Sequence, residues 1–115
     1  MIRAKLFRTP DGVWAGYELR GHAGWAEAGQ DIVCAAASVL AINCVNSLET
    51  VCQVQARVTG GNDGQLSVML PERLSPQQNH DAQILLGALR QGLSDLQEEY
   101  PDHIQFSIVN GGKHP

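Results

Sequence analysis

Asp31-Ile-Val-Cys34-Ala-Ala-Ala-Ser38-Val-Leu-Ala-Ile42-Asn-Cys44-Val-Asn-Ser-Leu-Glu49 is the stretch on which the fold turns. Asp is a good helix N-cap, since its carboxylate accepts a bond from an otherwise unpartnered first-turn amide. A helix is therefore predicted from Asp31 to about Glu49, with Cys34 near its third position. Its apolar residues, Ile32, Val33, Ala36, Val39, Leu40, Ile42, Val45 and Leu48, run almost all the way round. That distribution implies burial on more than one side, as a central helix or as a dimer interface.

Upstream, Ile2 to Arg8 and Val13 to Leu19 show partial alternation and are separated by Thr9-Pro-Asp-Gly12, whose residues suit a turn. This predicts a β-hairpin. Residues 21 to 30 carry three glycines and no periodicity, so they read as a loop, and the loop holds His22. Downstream, Val51 to Thr59 alternates with Cys52, Val54, Ala56 and Val58 on one face, and Gln65 to Leu70 follows the glycine-rich turn Gly60-Gly-Asn-Asp-Gly64. A second hairpin is expected there. Ser75-Pro76 reads as an N-cap followed by proline at the first helical position, opening a helix with the stripe Ala82, Leu85, Leu89, Leu93 and Leu96 that Pro101 stops. Ile104, Phe106 and Ile108 mark a last strand before Asn110-Gly-Gly. The order ββαββαβ reads as one α+β domain over residues 1–115, a largely antiparallel sheet covered by two main helices.

With 43% apolar and 17% charged residues among 115, the chain has a globular rather than a disordered composition. Its net charge is −4, and the eight basic residues are spread from Arg3 to Lys113, so direct nucleic-acid binding is not expected. Three cysteines, an odd number without a CxxC pair, suggest reduced thiols in the cytoplasm. No signal peptide is read in Met-Ile-Arg-Ala-Lys-Leu-Phe-Arg, and the apolar run Ile32 to Ile42 is too short for a bilayer span, so no membrane association is expected.

Cys34 and His22 are the candidate reactive pair. A catalytic thiol needs stabilisation of its anion, which a helix N-terminus offers through free amides and its dipole, and which a nearby imidazole offers by taking the proton. Amides of a first helical turn could also hold the oxyanion formed when a thiolate attacks a carbonyl. The glycine-containing loop is long enough to fold His22 back onto Cys34. The same residues have plainer readings: a histidine beside glycine is a common surface-loop residue, and a cysteine on an apolar helix is a common buried hydrophobe.

Gly21-His22-Ala23, followed by Gly29-Gln-Asp31-Ile-Val-Cys34-Ala-Ala-Ala-Ser38, resembles the signature of the ribosomal-processing cysteine proteases, the Prp family. The resemblance implies an endopeptidase that removes a short N-terminal extension from a large-subunit ribosomal protein. It also implies Cys34 as nucleophile, His22 as general base, and action as a homodimer. Cleavage after bulky apolar residues would call for an apolar subsite, and Trp25 is the candidate to line it. Gly21 and Ser38 are further candidates for substrate contact, Ser38 because it follows Cys34 by one turn on a similar face. Asp31 either caps the helix or orients the imidazole.

No cofactor or metal is expected: the glycines lack a GxGxxG or GK[ST] pattern, and His80, His103 and His114 are scattered. Cys44 and Cys52 read as packing residues. Two other functions fit part of the pattern, a non-catalytic ribosome-associated module whose loop docks a peptide, and a thiol redox sensor using Cys34. The second lacks a resolving cysteine nearby in sequence.

Overall fold

The computed structural model describes residues 1–21, 28–61 and 64–111, and of residues 28–31 the backbone alone. Strands β1 (Ile2–Arg8) and β2 (Trp14–Arg20) lead into helix α1 (Ala28–Thr50). Strands β3 (Arg57–Gly60) and β4 (Gln65–Met69) follow, then helix α2 (Pro76–Glu99) and strand β5 (Ile104–Asn110). The predicted ββαββαβ order and α+β class hold. The five strands form one sheet in the order β3-β4-β2-β1-β5, antiparallel throughout except where β5, returning after α2, runs parallel to β1.

Strand alternation sorts the two faces. Ile2, Ala4 and Leu6 register with Ile104, Phe106 and Ile108 on one side. Ala4 and Leu6 stand opposite Leu19 and Tyr17 on the other, and these continue to Leu66 and Val68. This apolar face meets Val33, Ala37, Ala41, Cys44 and Leu48 of α1 and Ala82, Leu86, Leu89 and Leu93 of α2 in a single core. The buried Tyr17 hydroxyl donates to the Ala41 carbonyl at 2.6 Å, fixing the middle of α1 over β2. Gly92 of α2 faces Leu40 of α1: a Cβ there would stand 2.9 Å from Leu40 Cδ2, so a larger residue would require the leucine methyls to move. The opposite face of the sheet presents Arg3, Lys5, Arg20, Gln105 and Ser107, all exposed.

Several boundaries differ from the sequence reading. Helix α1 begins at Ala28, so Asp31 is its fourth residue and not the cap ahead of it. Capping preference marked the first strong cap before an apolar run, but Ala28, Gly29 and Gln30 continue the helix one turn upstream. The capping role for Asp31 is thereby corrected. Cys34 becomes the seventh residue, with its amide bonded inside the helix.

Residues 51–56 are not strand. Cys52 N–H bonds Ser47 O at 3.3 Å, Val54 N–H bonds Leu48 O at 2.8 Å, and Gln53 takes a positive φ of 54°. The chain turns back on the end of α1, and that reversal buries Cys52 and Val54 while leaving Gln53 out, which imitates strand alternation. Helix α2 opens as read: Ser75 Oγ accepts from the Gln78 amide at 3.0 Å and the Gln78 side chain returns the bond to Ser75 N–H. Its buried stripe takes Leu86, with Leu85 at the margin of the core.

Helix α1 is long and apolar enough to cross a membrane by length and composition alone. Sheet and α2 cover two of its sides. The third carries Ile32, Val39 and Ile42 at 59%, 66% and 50% exposure.

Candidate active site

Cys34 is half-buried, in contrast to Cys44 and Cys52, which are 5% and 4% exposed. On one side it packs against the core, and on the other it lines a cavity of about 240 Å³. The cavity lies between α1, which contributes Cys34, Ala37, Ser38, Ala41 and Ile42, and the sheet, which contributes Ile2, Leu19 and Leu66. Its wall is mainly apolar because residues three and four apart on α1 face alternate residues of the strands.

Gly21 reaches the same cavity from the end of β2. Its N–H donates to the Gly64 carbonyl in the β3–β4 turn at 2.8 Å, and its φ is +86°. A Cβ there would lie 2.6 Å from the Met1 carbonyl oxygen. Both facts require glycine: the backbone takes the left-handed conformation, and another backbone passes where a side chain would sit. The chain leaving β2 is thus pinned at the cavity rim one residue before His22. His22 and Trp25 themselves, and the Asp31 side chain, lie outside the described residues.

Ser38 follows Cys34 by one turn, is exposed, and shares the cavity wall. Thr50 near the helix end donates its hydroxyl to the Asn46 carbonyl at 3.0 Å. Ser38 makes no such bond among the described residues, which leaves its hydroxyl available to a bound group. The amides without a partner inside α1 belong to the first turn, more than one turn upstream of Cys34. The thiol therefore sits one turn inside the helix end that carries those amides.

Burial pushes the Cys44 thiol up to about 11. Cys44 is a packing residue, as the sequence suggested. His80 lies 3.2 Å from Asp81 on the exposed side of α2. Among the described residues no group of three His, Cys, Asp or Glu side chains is arranged to hold a metal.

The second hairpin's share of the site was not read from sequence. Gly61, Gly64, Gln65 and Leu66 complete the cavity. The available signal was the glycine-rich turn, but its nearness to Cys34 follows from β4 pairing with β2, and strand order is not legible in a single chain.

The family profile described as "Cysteine protease Prp" matches residues 1–105. The chain belongs to the Prp cysteine protease family. It is 30% identical over 108 residues to the ribosomal processing cysteine protease Prp of Bacillus subtilis (strain 168), covering 93% of this chain and 96% of that one. A crystal structure of a protein from Streptococcus mutans superposes with a TM-score of 0.83 at 32% identity, over 96% of this chain and 95% of that one. The Prp of Staphylococcus aureus with a covalently linked product peptide gives a TM-score of 0.81 at 26% identity, over 94% and 99% of the two chains. As a Prp family member the chain is a cysteine protease, and Cys34 is the one cysteine of its three that reaches an open cavity.

Proposed function

We propose that this protease removes the N-terminal extension of a large-subunit ribosomal protein in the cytoplasm, with Cys34 as nucleophile and His22 as general base. The observation that carries the reading is the shared cavity: the half-buried Cys34 and the pinned Gly21, next in sequence to His22, line one apolar pocket. The relative from Bacillus subtilis, named as a ribosomal processing protease, supports the substrate class.

In this mechanism His22 takes the Cys34 proton, and the thiolate sulfur attacks the scissile carbonyl carbon, moving the carbonyl electrons onto oxygen. The tetrahedral adduct collapses, its C–N bond breaks, and the departing amine receives the proton from the imidazolium. Water, deprotonated by His22, then attacks the thioester, releasing the carboxylate of the cleaved extension and restoring the thiol. In this reading the Asp31 side chain orients the imidazole. Ser38 offers its hydroxyl to the substrate, and Trp25 extends the apolar wall that receives bulky residues before the cut. The acid–base pair works without a cofactor or metal.

The enzyme acts as a homodimer of single-domain chains. The apolar third side of α1, with Ile32, Val39 and Ile42, supplies the kind of exposed patch that a second copy would cover.

The test is incubation with a peptide carrying an extended ribosomal-protein N-terminus, read by mass spectrometry. Wild type releases a single extension fragment, and Cys34→Ala releases none. Cleavage retained by Cys34→Ala would reject the nucleophile, and a peptide that binds without cleavage in wild type would favour a docking module.

A further inference from the structure

The face of the sheet turned away from the helices collects charge that is scattered along the chain. Arg3 and Lys5 of β1, Arg20 of β2 and Arg57 of β3 all register on it, with Glu18 as the only carboxylate among the described strand residues. The whole chain has eight Lys and Arg and a net charge of −4, so half of its cations stand on one face against the overall sign. Glu18 is 6% exposed and its Oε2 accepts from Arg20 Nε at 2.7 Å, leaving little negative potential at the surface.

Arg3 stands directly opposite Arg20 in the β1–β2 ladder. Like charges at such a position destabilise a sheet. No carboxylate relieves Arg3: its hydrogen-bond partner is the neutral Gln105, at 3.5 Å. Lys5 stands opposite Glu18 in the same ladder and has Ser107 on its other flank. The fold therefore gathers three exposed cations of two neighbouring strands around one carboxylate, which leaves the patch net positive.

We propose that this face binds the phosphate backbone of a nucleic acid. Arg and Lys supply the charge, and the neutral Thr59, Ser67, Gln105 and Ser107 between and beside them are donors of the kind that contact phosphate and sugar. Phe7 and Met69, the large apolar residues of the face, are 4% and 6% exposed, so it lacks the exposed apolar centre of a protein interface. Their burial also removes a platform for base stacking, so binding is indifferent to base sequence. A second copy of the chain laid on this face would set cations against cations.

The sequence reading, which saw basic residues spread from end to end, missed the patch because alternate residues of β1 and the end of β2 meet only in the sheet. The Cys34 cavity lies on the helix side, bounded by Ile2, Leu19 and Leu66. A chain held through its open face keeps that cavity accessible.

Fluorescence anisotropy with a labelled single-stranded RNA of about twenty nucleotides, and in parallel with duplex DNA, tests the proposal. Three phosphate contacts at about 0.7 each predict a slope of log K against log salt near −2 on the single strand, a loss of roughly twentyfold between about 50 and 200 mM salt. Arg3→Gln/Lys5→Gln reduces the slope to about −0.7, while Arg90→Gln on α2 leaves it unchanged and peptide cleavage is the same in all three proteins. Thermal melts of Arg3→Gln, which relieves the opposed pair, show a chain as stable as wild type or more so. Absence of binding to either nucleic acid at about 50 mM salt would overturn the proposal, as would an unchanged slope in the double variant or an equal loss in Arg90→Gln. Displacement by poly-glutamate as effective as by RNA would assign the face to an acidic protein instead, and overturn it too.

Discussion

One residue type takes contrasting roles in this chain. Cys34 touches the core and an open cavity, whereas Cys44 sits beneath the same helix against Tyr17. Burial holds the Cys44 proton up to about 11 against an ordinary value of 9.0, and burial raises the Tyr17 hydroxyl as well. Below pH 9 the folded and unfolded chains both keep the Cys44 proton, and its contribution to stability is complete. Between pH 9 and 11 the unfolded chain releases it and the folded chain does not, so stability falls as pH rises. Denaturant unfolding followed from pH 8 to 11 should show that decline, with a shallower lower limb in Cys44→Ala. An identical decline in the variant would place its origin elsewhere.

At the scale of elements, Gly21, the residue before His22, is held by a turn on one side and the N-terminal residue on the other. Gly21 bonds Gly64 and passes beside Met1. Gly12, in the β1–β2 turn, has the same φ of +86° but open space around it. The pair separates backbone strain from loop placement. Gly12→Ala should cost about 1 kcal/mol of stability and leave kcat/KM unchanged. Gly21→Ala should cost about 1–3 kcal/mol and lower kcat/KM more than tenfold, because the chain carrying His22 is displaced. Equal kinetics in the two variants would contradict the loop's role.

The same elements mark how far sequence carries. The opening of α2 was legible in Ser75-Pro76 and Gln78, because capping chemistry is local. The opening of α1 was not, since Asp31 is a better cap by composition than anything near residue 27 yet sits inside the helix. Residues 51–56 misled for a related reason, since a chain reversal and a strand can bury alternate residues alike. In the site, Cys34 and Ser38 were legible as helix neighbours. The hairpin wall of the cavity depends on β4 lying beside β2, a long-range pairing that no local pattern encodes.

For the whole molecule, the two outer surfaces have opposite character. The open sheet face carries cations, and the uncovered side of α1 carries Ile32, Val39 and Ile42. The proposed homodimer through the helix would leave the sheet face free. Val39, 66% exposed, contributes little to the monomer's own core, so Val39→Asp should convert dimer to monomer in sedimentation equilibrium with a small change in thermal stability. A dimer of unchanged affinity would move the interface away from α1.

The central claim is that a base carried by the loop after Gly21 activates the thiol on α1. It is tested most directly by kcat/KM for cleavage of the extended ribosomal-protein peptide in wild type and His22→Ala, with peptide affinity measured separately. The account predicts a loss of at least about a thousandfold in kcat/KM with affinity largely retained. A His22→Ala enzyme that cleaves within about tenfold of wild type would contradict it.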